Sequence, residues 1–381
     1  MKLTVERAPF LAALQRAARA VERRNTIPIL ANLLLRAEAG GIAITATDLD
    51  VEVTQTVKAE ISTDGEPTTL PAHTLLEIVR KLPDGAQIGI ETAGDKGNAV
   101  LRAGRSRFTL QTLPAYEFPD LSEVTGGYEM ALPGAALADA IGRVEFAIST
   151  EETRYYLNGI FLHRDPDTSG RLRLVATDGH RLSLASLAID TPPQLPGVIV
   201  PRKAVAEIKK MAEAADKADL RLDVSANRLV ASLGDWRFSS KLIDGTYPDY
   251  GRVIPSGNDK FVTLQAEELL AAVERVGTVA SERVGTVASE RGRAVKCTFA
   301  PGRLELQVTN PDAGTAYEEV EVAYTGETIE IGFNGRYIVD LLNATAKAGE
   351  ISIALHDPGS PALIRRPDTK VALCVLMPMR V

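Results

Sequence analysis

The chain has 381 residues, a formal net charge of −7 at pH 7, 45% hydrophobic and 24% charged residues. These are the proportions of an ordinary globular protein. No apolar run approaches the ~20 residues of a membrane span, and the first residues lack the apolar core and cleavage site of a secretory signal. The two cysteines, Cys297 and Cys374, lie in apolar strand-like runs, which indicates buried thiols rather than a disulfide framework or metal pair. We therefore expect a cytoplasmic protein with no membrane partner.

The chain repeats one arrangement three times. A strand-and-turn pattern at 42–48 returns at 172–178 and at 304–310, at offsets of 130 and 132 residues. A strand that runs into a helix recurs with the same offsets, at 70–71, 200–201 and 332–333. This period is too long for a solenoid repeat and matches a whole domain. The sequence therefore predicts three similar domains, with boundaries at 1–124, 128–254 and 259–381.

Each repeat is predicted to contain two helices set among about eight short strands. The predicted helices, in chain order, are 6–24, 70–82, 133–149, 201–218, 265–293 and 334–347. Each carries one apolar stripe at helical spacing, as Leu75, Leu76 and Val79 do. The strands alternate apolar and polar residues with period two, as in 171–174, which is typical of antiparallel sheets buried on one face. The predicted fold class is α+β, with two helices and two antiparallel sheets in each domain.

The negative net charge is unevenly distributed. The six predicted helices together carry +5, so the remainder, mostly strands and loops, carries −12. A protein with basic helices and acidic sheets can present a positive surface to DNA although its net charge is negative. Ordinary solvated helix faces explain the same distribution equally well.

The sequence lacks the motifs of common catalytic sites. It has no phosphate loop, no dinucleotide-binding glycine pattern and no nucleophile elbow, and its four histidines have no metal-ligand spacing. Asp48 and Asp50 could form a two-carboxylate metal motif, but the repeats replace them with Asp178 and His180 and then with Asn310 and Asp312. A position that keeps its turn while its chemistry changes is a structural turn. We expect no enzyme activity, no cofactor and no metal.

Several unusual segments lie in the second and third repeats. The segments 154–159, 176–182 and 244–250 combine tyrosines, prolines and turn residues, and the chain ends at 375–381 with two methionines, a proline and an arginine. Packing in a buried core is one interpretation. The other is an adaptable apolar groove, because methionine suits sites that accept several partners.

Together these segments resemble the bacterial DNA polymerase III beta-subunit family, the sliding clamps. The matching pieces, in family order, are 154–159, 177–182, 200–203, 247–250, 331–334 and 377–380. The resemblance implies the DNA clamp fold, in which a head-to-tail homodimer of three-domain protomers forms a ring with helices inside and a continuous sheet outside. Such a clamp encircles duplex DNA and tethers the replicative polymerase, with no reaction of its own.

The resemblance also implies the sites. Double-stranded DNA would be held without sequence specificity through phosphate contacts from Arg24, then Arg202 and Lys203, and more weakly from Arg80, Lys209 and Lys210. A short Gln-Leu-x-Leu-Phe-like peptide would carry the polymerase alpha subunit, the clamp loader, other polymerases and repair proteins to a groove. Its deeper part comprises Leu157, Thr177, Gly179, His180, Arg181, Leu182, Pro248, Arg252, Val253, Val375 and Met377. Its shallower part comprises Tyr156, Tyr337, Pro378 and Met379, with Arg154 and Asn334 alongside.

One departure from the family concerns the protomer contact. The eight residues at 274–281 are repeated without change at 282–289, where the family has one copy. Eight extra residues in a helix add a little over two turns and rotate the residues beyond them by roughly 80°. A duplication absorbed as a longer loop and an error in the sequence both remain open. The protomer contact implied by the resemblance comprises Phe108, Thr278, Val279, Thr286 and Val287.

A second hypothesis competes with the clamp. The chain could be a scaffold that binds peptides in its groove and never encircles DNA. A nucleic-acid enzyme is disfavoured by the missing motifs. Retention on circular but not on linear DNA separates the clamp from both.

Overall fold

The computed structural model describes residues 1–63, 65–92, 97–120, 126–166, 168, 170–189, 191–280, 294–345, 349–367 and 372–381. Within these ranges it contains six α-helices and 24 β-strands. All six predicted helices are present, and within the described residues each is shorter than predicted: a turn follows the first helix at residues 18–20, for example, and a short 3-10 helix follows the third at Glu145–Ala147. No helix in these ranges is long and apolar enough to span a membrane.

The three thirds of the chain contain the same elements in the same order. The first third contains β1 (Lys2–Glu6), α1 (Arg7–Ala17), β2 (Asn32–Glu38), β3 (Gly41–Thr47), β4 (Val51–Thr63), β5 (Thr68–Pro71), α2 (Ala72–Lys81), β6 (Gln87–Thr92), β7 (Asn98–Ala103) and β8 (Ser106–Gln111). The second contains β9 (Tyr128–Pro133), α3 (Gly134–Val144), β10 (Gly159–Arg164), β11 (Arg171–Thr177), β12 (Arg181–Ala188), β13 (Val198–Pro201), α4 (Arg202–Ala215), β14 (Asp219–Val224), β15 (Arg228–Leu233) and β16 (Trp236–Lys241). The third contains β17 (Lys260–Gln265), α5 (Ala266–Gly277), β18 (Ala294–Ala300), β19 (Arg303–Asn310), β20 (Gly314–Glu321), β21 (Ile329–Asn334), α6 (Gly335–Thr345), β22 (Glu350–Leu355), β23 (Ala362–Arg365) and β24 (Ala372–Leu376).

The strands pair antiparallel throughout, and in the same way in each third except that β1 also pairs with β4, which joins the two sheets of the first third. In the second domain, for example, one run of paired strands has the order β9-β14-β15-β16. These are the first, sixth, seventh and eighth strands of that domain. The second to fifth strands form another, in the order β13-β10-β11-β12. Two pairings extend a sheet from one third to the next, β16 with β4 and β24 with β12. The predicted triplication and the α+β class are confirmed.

By its internal contacts the chain divides into two compact units. The first comprises Met1–Gly134 and Ala214–Leu242, and it holds the 12-stranded sheet that includes the β16–β4 pairing. The second comprises Ala135–Glu213 and Ile243–Val381, and it holds an eight-stranded sheet and a four-stranded sheet.

The helices bury the predicted stripes against these sheets. In α2, Leu75 and Val79 are fully buried. Cys297 and Cys374 are both buried and unbridged, within one apolar cluster of the third domain. Burial raises the pKa of both thiols to about 12, so they remain protonated and unreactive near neutral pH. The prediction of buried thiols is confirmed.

The repeated eight-residue segment does not lengthen α5. The helix ends at Gly277, and its last turn is followed by a turn in which Val279 packs against the core of the third domain. The Asn310 side-chain amide donates to the Val279 carbonyl at 2.9 Å. The first copy therefore supplies the end of the helix, and the second copy, with Thr286 and Val287, lies outside the described residues.

Candidate functional site

The turn between β11 and β12 is built by its own side chains. The Thr177 hydroxyl donates to the Arg181 carbonyl at 2.7 Å, and Asp178 Oδ1 accepts from the amides of His180 and Arg181 at 2.9 and 3.0 Å. Asp48 makes the same bonds in the first domain, to the amides of Asp50 and Val51. The interpretation of this position as a structural turn is confirmed.

Gly179 at the tip of this turn meets two constraints. Its φ of +88° lies in the left-handed region that favours glycine. A Cβ atom there would lie 2.5 Å from Arg154 Nη1, and that guanidinium donates to the Asp178 carbonyl at 3.4 Å. The turn therefore favours glycine and brings Arg154 to its rim.

Arg181 is held by interactions on every side. Its Nε donates to Asp178 Oδ2 at 3.1 Å, its Nη1 to Asp340 Oδ2 at 2.8 Å, and its Nη2 to the Phe146 carbonyl at 2.7 Å. The guanidinium also lies over the Tyr337 ring, 4.2 Å from the centroid. The Arg181 side chain is only 10% exposed, and its guanidinium is occupied by these bonds. Its role is therefore to hold the neighbouring side chains in place rather than to donate to a ligand.

The C-terminal segment continues from β24 over the same region. The Met377 amide donates to the His180 carbonyl at 2.9 Å, and the Met379 amide donates to the Gly332 carbonyl at 2.8 Å. Met377, Pro378 and Met379 are half-buried, so the segment lies against the protein rather than extending into solvent as a tail.

An apolar stripe crosses the sheet beneath these segments. Cross-strand pairing aligns, on one face, Ile199, Phe161, Val175, Leu184, Leu182, Leu373 and Val375. Leu157 and Tyr247 join this cluster, and Tyr156 packs against it. The loop 243–254 covers part of the stripe, and it leaves Pro248, Arg252 and Val253 exposed at its edge.

The first domain has a polar stripe at the equivalent positions. Its registers align Thr69, Leu34, Thr45, Thr54, Glu52, Arg237 and Ser239. A cleft of about 950 Å³ lies over it. Because the two backbones pair identically, the difference is one of side-chain chemistry: only the stripe of the second compact unit offers apolar walls to a ligand.

The structure thus places the predicted groove residues around one apolar surface in the second compact unit. His180 and Tyr337 have ring centroids 6.3 Å apart, and Asn334 Oδ1 accepts from the Tyr337 amide at the start of α6. Sequence reasoning missed Val175, Leu184 and Tyr247. The sequence of β12 does indicate an apolar surface on the outer side of the sheet, because β12 has apolar residues on both of its faces. It does not indicate which of the two faces is covered by a loop.

The residues predicted to contact DNA differ in their exposure and in the ion pairs that they form within the protein. Arg24, in the loop after α1, and Arg202, at the start of α4, are exposed, and neither forms an ion pair with any described residue. Lys203, beside Arg202, is also exposed. The weaker candidates are all ion-paired: Arg80 with Glu77, Lys209 with Glu145 and Lys210 with Glu207.

The predicted protomer contacts lie at two places. Phe108 is half-exposed on β8, which pairs only with β7 among the described strands. Thr278 and Val279 follow α5, where the Thr278 hydroxyl donates to the Arg275 carbonyl at 2.7 Å. Among the described residues, no group of three or more His, Cys, Asp or Glu side chains is arranged to hold a metal ion.

Comparisons with known proteins match the whole chain. Family models described as the N-terminal, central and C-terminal domains of the DNA polymerase III beta subunit match residues 1–122, 131–249 and 251–380. The beta sliding clamp of Caulobacter vibrioides is 46% identical over 383 residues, covering 100% of both chains. A crystal structure of the DNA polymerase sliding clamp from Caulobacter crescentus is similar with a TM-score of 0.92 at 46% identity, covering 100% of both chains. A sliding clamp from Bartonella birtlesii bound to griselimycin is similar with a TM-score of 0.92 at 43% identity, also covering 100% of both chains.

Proposed function

Because the chain belongs to the DNA polymerase III beta-subunit family, we propose that it is a DNA sliding clamp that encircles duplex DNA and tethers the replicative polymerase. The observation that carries this proposal is the strand pairing of the three repeats, because it predicts how a ring closes. The clamp acts as a topological tether and catalyses no reaction, and it works in the cytoplasm. Its domains span 1–124, 128–254 and 259–381.

Ring closure follows from the equivalence of the strands. The eighth strand of the second domain, β16, pairs with the fourth strand of the first, β4, and the eighth strand of the third domain, β24, pairs with the fourth strand of the second, β12. The remaining eighth strand, β8, and the remaining fourth strand, β20, each pair on one side only among the described strands. In a head-to-tail homodimer β8 of one protomer pairs with β20 of the other, which closes the ring and covers both edges.

The two edges are complementary in charge. Arg107 lies on β8 and Arg105 just before it, whereas β20 carries Glu318, Glu319 and Glu321, of which Glu318 is already paired with Arg275. Transfer of the observed registers places Phe108 opposite Ala316, because Phe238 lies opposite Val53 and Cys374 opposite Ser183, and Val53 and Ser183 occupy the position of Ala316 in their hairpins. Opposite charges at a strand interface favour the correct partner and register over alternatives.

The DNA contacts proposed are those of Arg24, Arg202 and Lys203, with smaller contributions from Arg80, Lys209 and Lys210. Exposed cations at loop and helix positions attract phosphates without reading bases, which suits a protein that must slide.

The groove of the second compact unit is proposed as the site for partner peptides. Its apolar stripe suits the leucine and phenylalanine side chains of a short Gln-Leu-x-Leu-Phe-like segment, while polar groups of the 177–182 turn fix the peptide backbone. Such segments would bring the polymerase alpha subunit, the clamp loader, other polymerases and repair proteins to one site. The alternative hypothesis, a peptide-binding scaffold that does not encircle DNA, would use the same groove. It does not explain why the edge strands β8 and β20 carry opposite charges.

Deletion of the last five residues, 377–381, tests the groove. The deletion removes Met377 and Met379 but leaves β24 and its pairing with β12 intact, so the protein should keep its fold and its dimer. We expect binding of a fluorescent Gln-Leu-x-Leu-Phe peptide, measured by anisotropy, to be abolished while retention on DNA is unchanged. Truncation of Arg380 and Val381 alone is the control. Peptide affinity unaffected by the longer deletion would place the groove elsewhere.

A further inference from the structure

Four aromatic rings in contact, three of them stacked and the fourth tilted, connect the loop 247–253 to the sheet. The Tyr247 ring stacks on Phe161 with centroids 4.7 Å apart and planes 5° apart, and Phe161 stacks on His163 at 4.6 Å and 27°. His163 in turn lies 5.6 Å from the Tyr250 ring. Tyr247 and Tyr250 bracket Pro248 and precede Arg252 and Val253, so the stack sets the position of the loop 247–253, called here the groove wall.

The hydrogen bonds of this stack define which nitrogen of a neutral His163 ring carries the proton. The Tyr250 hydroxyl lies 2.9 Å from His163 Nε2 and 3.3 Å from Arg173 Nη1. A carbonyl oxygen only accepts and a guanidinium only donates, so the Arg164 carbonyl requires a proton on Nδ1, the Nε2 of the neutral ring accepts from the Tyr250 hydroxyl, and the hydroxyl oxygen accepts from Arg173. The proton of the ring is then on Nδ1, which lies 2.6 Å from the Arg164 carbonyl oxygen. Each bond is satisfied when the imidazole is neutral.

The surroundings of His163 oppose its protonation. Burial is the main cause that lowers its pKa, and the Arg173 charge lowers it further, while the Arg164 carbonyl and the Asp165 carboxylate act in the opposite direction. Arg173 is itself paired with Asp165 at 3.0 Å. On the remaining side, Gly197 leaves no room for adjustment, since a Cβ there would lie 2.7 Å from Phe161 and 3.6 Å from the His163 Cβ.

We propose that His163 is a positioning residue of the peptide groove, which in its neutral form holds the groove wall through Tyr250 and on protonation releases it. This inference rests on the proposed function of the groove. Protonation of Nε2 turns this nitrogen into a donor, so the Tyr250 hydroxyl loses the acceptor of its proton and must rotate, and a second cation is placed beside Arg173. A protonated ring is therefore better accommodated when the wall has moved away, and the wall carries Pro248 and Val253 of the groove.

The expected consequence is a peptide affinity that falls on acidification. Because the neutral form is the one that holds the wall, affinity should be constant above the ordinary titration range of histidine and should decrease severalfold as the pH is lowered from about 7.5 to about 5. Proton binding and peptide binding then oppose each other, so bound peptide should lower the pKa of His163 further.

Two variants isolate the bond between His163 and Tyr250. His163→Phe keeps the ring stack but cannot titrate, and Tyr250→Phe keeps the ring but loses the hydroxyl. Each should weaken the binding of a capped Gln-Leu-x-Leu-Phe peptide by about three- to tenfold at pH 7.5, and His163→Phe should bind with much less pH dependence than the wild type. His180, which is exposed in the groove, is retained in both variants, so its contribution is common to the proteins compared. His356→Gln and Tyr116→Phe are matched controls and should behave as the wild type.

A second measurement does not depend on the peptide. The protection factors of the groove-wall amides, which correct for the slower intrinsic exchange at lower pH, should fall on acidification in the wild type, and this fall should be absent in His163→Phe. Failure of the wild type to bind peptide at any pH would defeat the proposed groove, and the exchange data would then decide the role of His163 alone. Unchanged exchange, or variants with the affinity and pH profile of the wild type, would overturn the inference.

Discussion

At the scale of single residues, the proposed groove depends on a few positions whose backbone conformation favours one residue type. Gly179 is the clearest of these, because its φ is +88° and Arg154 Nη1 fills the space that a side chain would need. The first domain has Leu49 at the equivalent place with φ +80°. There the leucine side chain packs against the apolar cluster of Ile29, Leu30, Leu34 and Phe118, which offsets the strain of its backbone.

Substitution of Gly179 by alanine should therefore damage the groove more than the fold. We expect a loss of roughly 1 kcal/mol in the free energy of unfolding, as for alanine forced into the left-handed region, together with weaker peptide binding because Arg154 must move. Gly234→Ala is the matched control, since Gly234 has φ +54° and nothing within 4 Å of its Cβ position. Equal peptide affinities of the two variants, measured by anisotropy, would argue against a role for this turn.

The DNA contacts are also a question of single residues. Reversing the charges of Arg24, Arg202 and Lys203 together should weaken DNA binding, and should reduce the slope of log affinity against log salt by roughly 0.9 for each phosphate that is no longer neutralised. The control reverses Lys58, Arg221 and Arg365, three exposed cations on strands, and changes the net charge equally. A salt slope that responds equally to both triple variants would show that only the net charge matters.

At the scale of elements, the sequence predicted the number, order and type of the helices and strands because each has a clear period. It overestimated helix lengths: Ala18, Ala20 and Val21 are buried, but they lie in a turn after α1, and an apolar pattern does not distinguish the two. The apolar stripe under the groove was not predicted as a unit, because its members come from several strands whose register depends on tertiary pairing.

A substitution in the edge strand β8 tests the proposed homodimer. Phe108→Asp places a charge in the proposed β8–β20 contact, where Phe108 is to be buried against the partner, and should convert dimers to monomers at micromolar concentration in sedimentation velocity. Phe261→Asp provides the control, because Phe261 is a 55% exposed phenylalanine on β17. A Phe108→Asp variant that stays dimeric would place the protomer contact elsewhere, with the repeated segment 274–289 as the first alternative to examine.

At the scale of the whole molecule, one type of strand pairing recurs at the joints between domains. The eighth and fourth strands join the domains within a chain twice, and we propose that the third copy of that pair, β8 and β20, joins two chains. The stripe beside the second joint is apolar and suits a peptide, whereas the stripe beside the first is polar. The order of the repeats could be predicted from the sequence. The joint that offers a ligand site could not, because its side chains come from several strands and share one face only in the folded sheet.

The central claim is that the protein holds DNA by encircling it. The most direct measurement loads the protein onto a nicked circular plasmid with a clamp loader, removes free protein by gel filtration in high salt, and then linearises half of the sample. We predict retention on the circle and loss from the linear DNA, because a ring slides off free ends while its phosphate contacts are screened. Equal retention on both, or retention on neither after loading, would contradict the account.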